Sequence, residues 1–456
     1  MSEAGTSTGT IAARMDRLPV TRTHRMATVA IGLGMFFDIY EVFITPVLSS
    51  VLTKEFALSK AALTPILAST FIGMFLGALV MGRVADRLGR RRAFLLNLGL
   101  YSVFSLLGAF SPDPIWLMVT RFIAGIGLGA ELPLADTYLT DLLPARKRGR
   151  FIAWAYTVSF VGVPFVGFLA HALVDKTVFG VDGWRWIFVI GSLGAIVVFL
   201  LRRGLPESPR WLESVGRGDE AEQITVRFED EARADGHTLD EPGAPAPVVP
   251  AARGLEGLRV LLRPPFGKRT GMMVVFHVFQ TIGYYGFGTM VPLVLAAKGY
   301  PVGQSLLFTA LVWLGYPVGS ALSLPLVERF ERKFLVIGSV ILMAIFGLAF
   351  GFSNAMTPIL VFGFLYTAIS NVFSNGYHIY QAEIFPTAVR STAASGTYAV
   401  SRLATAAMPF VLVPVLNDFG AGAVFGVVCA AMVIVAVDIA LLGPRTTGRT
   451  VESVSS

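Results

Sequence analysis

Residues 138–148 read Tyr-Leu-Thr-Asp-Leu-Leu-Pro-Ala-Arg-Lys-Arg, and residues 380–390 read Tyr-Gln-Ala-Glu-Ile-Phe-Pro-Thr-Ala-Val-Arg. The two stretches share a Tyr, an acidic residue, a Pro and a final Arg at the same spacing, 242 positions apart. The same shift carries Asp86-Arg87 onto Glu328-Arg329. Two separate segments that agree on one offset indicate an internal duplication.

Twelve apolar stretches surround these repeats, and each is long enough for a helix to cross a bilayer. Because both repeats face the same side of the membrane, the halves are related in parallel. The sequence therefore predicts an all-α integral membrane protein with 12 transmembrane helices in two pseudo-symmetric six-helix bundles, and it excludes a soluble enzyme. The expected spans are 27–48, 62–82, 93–110, 115–139, 151–171, 184–201, 270–296, 304–325, 334–352, 357–379, 392–416 and 421–442.

Charge predicts the orientation. Most of the 37 Lys and Arg residues lie in tails, loops and helix ends on the side that holds both termini. By the positive-inside rule this side is cytoplasmic, and the net charge of +7 reflects topology rather than nucleic-acid binding. The basic residues expected on the outer side are Lys54, Lys60, Lys176, Arg185 and Lys298.

The expected organisation is a cytoplasmic tail (1–26), a six-helix bundle (27–201), a cytoplasmic connector (202–269), a second bundle (270–442) and a cytoplasmic tail (443–456). The connector contains the acidic, helix-compatible stretch Asp219–Ala234 and a Pro- and Ala-rich stretch. Its middle shows no apolar periodicity with which to build a core, so a linker is expected rather than a catalytic domain. The tail 1–26 lacks the pattern of a cleaved signal peptide.

The loop after the second span reads Gly82-Arg-Val-Ala-Asp86-Arg87-Leu-Gly89-Arg90-Arg91-Arg92. Gly82 and Gly89 would let two helix ends turn and approach, and Asp86 could pair with a basic group or cap a helix. At this position the run closely resembles the loop motif of the major facilitator superfamily. Segments 121–131 and 206–212 resemble motifs of its metabolite and sugar carriers. We expect gating residues at Gly82, Asp86, Arg87, Glu131, Arg148, Glu383 and Arg390.

The first span contains Phe37-Asp38-Ile39-Tyr40-Glu41, which places two carboxylates three residues apart on one helical face. It resembles the acidic pair of the aromatic acid:proton symporters, with Ile39 in place of Gly and Glu41 in place of the second Asp. That family also tends to carry an arginine where the eleventh span has Arg402. Niacin carriers and other metabolite:proton symporters are related to the same branch.

Ionisable residues inside a span are costly, so they are functional candidates. At 1.5 Å per residue, Arg121 lies at about the level of Glu41. A carboxylate that changes its pairing with Arg121 can capture or release a proton. We expect Asp38 to be the primary proton site, Glu41 its partner or alternate, closer to water, and Arg121 the counter-charge. A permanent ion pair that holds two helices together is the alternative.

Arg402 lies near the midplane without a conspicuous acidic partner in the second half, so it is suited to bind a carboxylate. A partner from the first half, such as Asp38, or a ring of carbonyls remains the alternative. The seventh span is expected to be interrupted, because Gly283, Gly286 and Gly288 would allow a bend. The expected substrate-binding residues are Arg402, Gln280, Tyr284, Tyr285, Asn371 and Tyr366.

These patterns predict a secondary active transporter of the inner membrane, with both termini cytoplasmic, that takes up a small organic anion, an aromatic carboxylate, with protons by alternating access. A symporter of a neutral sugar or polyol and a drug/proton antiporter are the alternatives, and a non-transporting sensor is a third. No nucleophile–base set or metal-ligand spacing suggests an enzyme. We expect no cofactor and no metal, the proton gradient as energy source, the lipid bilayer as surroundings and a monomer.

Overall fold

The structure, a computed structural model, describes residues 10–242, 259–264, 266–385 and 387–446. Within these ranges the chain is almost entirely helical, apart from a short hairpin of Thr177–Val178 and Val181–Asp182. The first half contains spans one to six, which are Arg22–Val47, Lys60–Leu88, Arg90–Ala109, Pro114–Leu142, Ala145–Leu173 and Gly183–Arg203. Spans seven to ten of the second half are Gly267–Ala297, Val302–Arg329, Arg332–Phe352 and Met356–Glu383, and the long helix Thr387–Leu442 follows them.

The last helix provides two spans. In the described part of the chain, eleven helices are long and apolar enough to cross a bilayer, and Thr387–Leu442 has 56 residues, about twice the length that one crossing needs. Its helical geometry breaks at Gly420, whose φ of 81° and ψ of −178° suit a residue without Cβ. Residues 387–419 therefore form the eleventh span and residues 421–442 the twelfth. The prediction of an all-α membrane protein with twelve helices is confirmed.

The second and fourth spans pack closely through glycines. A Cβ atom on Gly125 would lie 3.1 Å from the Cα of Gly73, and one on Gly77 would lie 3.0 Å from the Cα of Ile126. Small residues at such positions allow two helix backbones to approach in lipid. The fourth span divides at Gly129 into the segments Pro114–Leu128 and Glu131–Leu142.

The connector differs from the expectation of a linker without a core. Residues 209–214 and 218–234 form helices, and the second of these buries Ala221, Thr225, Phe228 and Ala232. These residues recur at helical spacing, a pattern that small side chains made weak in the sequence. A helix at Ile11–Arg17 packs against this connector helix. We call this side of the molecule, with residues 10–21, 88–90, 143–145 and 204–242, the connector face.

On the opposite face, four of the six connections between spans in the described chain are short. They comprise residues 110–113, 298–301 and 353–355 and the single residue Gly420, besides the longer segments 48–59 and 174–182. Residues 49–55 of the first of these longer segments are helical. Most of the chain outside the spans therefore lies at the connector face.

The two halves meet through aromatic and small side chains. Phe71 packs edge-on against Tyr285, with 5.8 Å between ring centroids, and a His171 ring nitrogen lies 2.8 Å from the Gly303 carbonyl oxygen near the opposite face. None of the ion pairs identified among the described residues joins the two six-helix halves. The interface between the halves therefore depends on packing and neutral hydrogen bonds in the described part of the chain.

Candidate substrate and proton sites

Glu41 and Arg121 form an ion pair in the interior of the first half. Both guanidinium Nη atoms donate to Glu41 Oε2 at 3.0 Å, and the Ser105 hydroxyl donates to Oε1 at 2.7 Å. Both charged side chains are inaccessible to solvent. The expectation that Glu41 lies closer to water is therefore wrong, because neighbouring helices enclose it. Arg121 also lies over the Phe188 ring, 5.1 Å from its centroid.

A second buried ion pair joins Glu131 to Arg202. The Arg202 guanidinium donates to Glu131 Oε1, Asn97 donates to Oε2 at 3.0 Å, and the Phe94 ring lies 4.3 Å below the guanidinium. Sequence reasoning assigned Arg202 to the start of the connector, but the sixth span continues to Arg203 and buries it. A long arginine at a helix end can extend along the bundle as well as towards water, and the sequence does not distinguish the two.

Asp38 is the carboxylate between these pairs that has no ion-pair partner. Its side chain is 2% exposed, no arginine or lysine of the described residues pairs with it, and the neutral Tyr101 hydroxyl lies beside it. Glu131, Arg202, Tyr101 and Glu41 all lie within electrostatic range of it. The structure thus pairs Arg121 with Glu41 rather than with Asp38. Three buried carboxylates share two arginines, and Asp38 is the one without an ion pair.

Arg402 lies in the second half and is 1% exposed. One Nη atom donates to the Tyr285 hydroxyl at 3.0 Å, and the other donates to the Tyr398 hydroxyl. Both rings also lie close to the guanidinium, with centroids at 5.3 and 4.5 Å. No carboxylate of the described residues forms an ion pair with Arg402. The alternative of a salt bridge to Asp38 is therefore not seen in this structure.

The seventh span is one continuous helix, so the predicted interruption is wrong. A Cβ on Gly286 would lie 2.9 Å from Leu412 Cδ1, and one on Gly288 would lie 2.7 Å from Phe43 Cε1. These glycines therefore allow close packing against the eleventh and first spans.

The other predicted binding residues form hydrogen bonds around this helix. The Tyr284 hydroxyl donates to Asn371 Oδ1 at 2.8 Å, and Asn371 Nδ2 donates to the Tyr316 carbonyl at 2.7 Å. Gln280 Nε2 donates to Ser401 Oγ at 3.4 Å. Tyr285, Tyr284 and Gln280 thus extend along the helix beside Arg402. Tyr366 instead donates to the Gly283 carbonyl at 2.9 Å and stacks on the Phe287 ring within the second half.

Several predicted gating residues lie at the connector face. Asp86 pairs with Arg90 at 2.8 Å, Arg87 is exposed, and Arg148 donates to Asp16 at 3.0 Å. Glu383 lies 3.5 Å from Arg332 in the second half. The side chain of Arg390 lies outside the described residues.

The two glycines of the loop motif have different roles. Gly82 lies within the second span, and no heavy atom lies within 4 Å of the position that a Cβ would occupy there. The prediction that Gly82 turns a helix end is therefore wrong. Gly89, with a φ of 98°, ends the helix.

Glu207 of the segment 206–212 binds the loop between the second and third spans. Its carboxylate accepts hydrogen bonds from the backbone N–H groups of Arg90 at 2.9 Å and Arg91 at 3.2 Å. Burial raises the pKa of the Glu207 carboxyl, although these N–H groups and that of Ser208 oppose the rise. Trp211 donates from its indole to the Asp86 carbonyl at 3.1 Å. This segment therefore holds the connector against the loop.

One open cavity formed by the described residues does not coincide with the predicted site. A cavity of about 360 Å³ lies at the face opposite the connector and is lined by Val51, Lys54, Glu55, Val174, Asp175, Asp182, Trp184 and Val302. Arg402 and Asp38 are instead enclosed by side chains. Within the described residues, no cluster of three or more His, Cys, Asp or Glu could hold a metal ion.

The sequence profile of the family described as "Sugar (and other) transporter" matches residues 26–456. The chain therefore belongs to this family of multi-pass membrane transporters, part of the major facilitator superfamily, as the motifs predicted. Its relatives are transporters, and the prediction that it is not an enzyme is confirmed.

Named relatives and a solved structure agree with this assignment. The chain is 33% identical over 446 residues to the niacin transporter NiaP of Acinetobacter baylyi, covering 97% of this chain and 99% of the relative. It is 30% identical over 392 residues to the gentisate transporter of Corynebacterium glutamicum, covering 84% and 80%. The xylose transporter XylE of Escherichia coli has the same fold, with a TM-score of 0.75 at 22% identity over 94% of this chain and 99% of that one.

Proposed function

We propose that this transporter takes up a small aromatic carboxylate together with protons across the inner membrane, by alternating access with both termini in the cytoplasm. The observation that carries the proposal is Arg402, a buried guanidinium whose hydrogen-bond partners are tyrosine hydroxyls. A buried cation without a carboxylate partner is a favourable place for an anionic ligand. Niacin and gentisate, which the names of two relatives specify, are both aromatic ring acids.

Asp38 supports proton coupling. An unpaired carboxylate in an apolar interior is more stable when it carries a proton, whereas a nearby arginine stabilises the ionised form. Arg202 and Arg121 lie on neighbouring spans and are engaged with Glu131 and Glu41. A rearrangement that offers Asp38 one of these arginines would release its proton, and the reverse would capture one.

Uptake into proteoliposomes tests both parts of the proposal. Labelled nicotinate, benzoate, gentisate and xylose are offered to purified protein with and without an inward proton gradient. We expect accumulation of one or more ring acids that a protonophore abolishes, and no accumulation of xylose. The same assay is applied to Arg402→Lys, and Arg233→Lys, at an exposed arginine of the connector helix, is its matched control. Gradient-driven accumulation of xylose but not of the acids would favour the neutral-sugar alternative, which the family description supports.

A further inference from the structure

The Arg202 guanidinium lies against the first span as well as the fourth. Its Nη1 atom donates to Glu131, while its Nη2 atom lies 3.5 Å from the Ile31 carbonyl oxygen. A Cβ on Gly34 would lie 2.5 Å from Arg202 Cζ, so the guanidinium occupies the space that a side chain at residue 34 would fill. The lack of a side chain at Gly34 therefore allows a cation of the sixth span to contact the first.

Asp38 lies one helical turn beyond Gly34, on the same face of the first span. The Cα–Cβ bonds of a helix tilt towards its N-terminus, so a side chain covers the turn that precedes it. The carboxyl group of Asp38 is thus directed towards the guanidinium beside Gly34. The electrostatic effects of Glu131 and Arg202 on Asp38 are correspondingly larger than that of Glu41.

Asp38 and Glu131 differ in depth by about one helical turn. His24 Nε2 lies 3.0 Å from the Leu142 carbonyl oxygen, which places these two helix ends at one level of the connector face. At 1.5 Å per residue, Gly34 and Glu131 lie roughly 15 and 16 Å beyond that level, and Asp38 lies roughly 21 Å beyond it. The two carboxylates are therefore successive groups between the midplane and the connector face.

Arg202 has donors that Glu131 does not use. A guanidinium carries five N–H groups, and the Nε group of Arg202 has no acceptor among the described residues. Its Nη2 atom, on the side of the first span, makes only the long contact with the Ile31 carbonyl in this part of the chain. The guanidinium can therefore donate to Asp38 after a movement of about one helical turn.

Asn97 can bind Glu131 in either state of protonation. Its Nδ2 donates to Glu131 Oε2 at 3.0 Å, and its Oδ1 is a buried acceptor without a donor among the described residues. An ionised carboxylate only accepts hydrogen bonds, whereas a protonated one also donates from its O–H. The free oxygen of Asn97 would accept that O–H if Glu131 took up a proton.

Tyr101 is a hydroxyl common to both carboxylates. It lies beside Asp38 and within electrostatic range of Glu131. A hydroxyl can accept one proton while it donates another, so it can connect two groups that do not touch.

We propose that Asp38 and Glu131 share Arg202 and pass one proton between them, from Asp38 to Glu131 and on towards the connector face. An O–H bond breaks at Asp38 and one forms at Glu131, while Arg202 stays protonated and changes its partner from Glu131 to Asp38. The step leaves no buried charge unpaired. The inference rests on the proposed proton coupling and assigns Glu131 to the same proton path.

Thermal stability of the purified full-length protein in detergent tests the sharing of Arg202. Glu131→Gln removes its present partner, but Asp38 can replace that partner, so the melting temperature should change little. The double variant Glu131→Gln, Asp38→Asn leaves the buried guanidinium without either partner. Its melting temperature should fall by several degrees more than the two single variants lose together.

The matched control combines Glu131→Gln with Asp113→Asn. Asp113 caps the fourth span at the opposite face, and asparagine caps a helix as well as aspartate. This second double variant should therefore melt at the same temperature as Glu131→Gln alone.

Infrared spectroscopy of the protein in nanodiscs measures the protonation of Asp38, since a protonated carboxyl has a carbonyl stretching band that an ionised one lacks. In wild type, Asp38→Asn should remove the band of one carboxyl group. In a Glu131→Gln background it should remove none, because the released Arg202 has already ionised Asp38. In a Glu41→Gln background it should again remove the band, because Arg121 is not the arginine that serves Asp38.

Gly34→Ala tests the space for the guanidinium. It should slow proton-driven uptake of labelled nicotinate into proteoliposomes and leave counterflow without a gradient unchanged, since only the exchange of partners is obstructed. Gly99→Ala is the control, because no heavy atom lies within 4 Å of its Cβ. Equal uptake by both variants would contradict the role of Gly34.

The possible results separate this inference from the proposed function. If wild type shows proton-driven uptake, but the losses of Glu131→Gln and Asp38→Asn simply add, or Asp38 keeps its band in Glu131→Gln, the inference is wrong and the proposed function stands. A Glu131→Gln protein that does not fold would also overturn the inference, since Asp38 is expected to replace the lost partner. If wild type shows no proton-driven uptake, the proposed function fails and the proton path fails with it.

Discussion

Arg202 in the last turn of the sixth span forms a buried ion pair with Glu131 in the fourth span, directly beside the unpaired Asp38. Arg121 is likewise engaged by Glu41. Neither of these two buried arginines therefore forms an ion pair with Asp38 in this conformation. Under the proposed mechanism, bringing one of these arginines to Asp38 would release its proton, and the reverse exchange would capture one.

Replacing Asp38 by Asn should abolish gradient-driven accumulation while exchange of substrate across the membrane continues, because the amide keeps the volume but cannot carry a proton. Uptake with a proton gradient and counterflow without one, measured in the same proteoliposomes, distinguish the two activities. Asp113→Asn serves as the control for loss of one carboxylate. Full accumulation by Asp38→Asn would remove Asp38 from the coupling mechanism.

Removing the charge of Glu41 should destabilise the protein strongly, since it leaves Arg121 buried without a counter-charge, at a cost of ~3–5 kcal/mol. We expect Glu41→Gln to lower the melting temperature in detergent by several degrees. The double variant Glu41→Gln, Arg121→Gln should be less destabilised than Glu41→Gln alone. Equal melting temperatures for wild type and the single variant would show that the pair does not hold the helices together.

Replacing Arg402 by Lys keeps the positive charge but loses the planar group that donates to two tyrosines at once. The preference for an acid over its amide should fall by roughly 10- to 150-fold in Arg402→Ala, which corresponds to charge-assisted hydrogen bonds of ~1.5–3 kcal/mol. Arg402→Lys should retain only part of the preference. Binding titrations with the acid and the amide measure this preference as the ratio of the two dissociation constants. A ratio that is unchanged in both variants would exclude Arg402 from carboxylate recognition.

A side chain at Gly125 should disrupt the packing of the second and fourth spans. The Cβ of alanine would lie 3.1 Å from Gly73 Cα, a backbone atom that cannot move aside by itself. Gly125→Ala is therefore expected to lower the melting temperature. Gly99→Ala in the third span is the matched control, since no heavy atom lies within 4 Å of its Cβ and alanine favours a helix by ~1 kcal/mol. Similar results for both variants would contradict the packing argument.

The contact between the N-terminal helix and the connector should depend on pH. Burial raises the pKa of the Glu229 carboxyl, but hydrogen bonds from Arg14 and Arg17 outweigh it and hold this pKa below its usual value. The ionised Glu229 carboxylate thus stabilises the contact between the two helices above about pH 4.3, the ordinary pKa of Glu. This stabilisation is lost as the pH falls through the lower pKa that Glu229 has in the folded protein. Hydrogen-exchange protection of Ile11–Arg17 should accordingly decrease at low pH, and Glu229→Gln should show the decrease already at pH 7.

The exposed pair of Arg217 and Glu220 supplies the control for this experiment. Glu220→Gln should leave the protection of Ile11–Arg17 unchanged at pH 7. Protection that is the same in wild type and Glu229→Gln at every pH would show that this carboxylate does not hold the helix.

Sequence reasoning was most reliable for the spans, because a bilayer imposes one length on every helix that crosses it. It was less reliable for the residues with which buried charged side chains form ion pairs. In the sequence, Arg202 resembles an arginine at the membrane surface, because it lies at the end of an apolar span. Only the direction of its side chain in the structure shows that it forms an ion pair with Glu131. Gly283, Gly286 and Gly288 suggested a bend, whereas their neighbours on other spans explain them.

The unequal distribution of chain between the two faces has a consequence for topology mapping. In the described part of the chain, the longest connections opposite the connector face are residues 48–59 and 174–182, whereas residues 235–242 at the connector face lie outside helices. Limited digestion of right-side-out and inverted vesicles should therefore divide the chain at different points. That asymmetry would report the orientation of the protein in its native membrane without any tag or substitution.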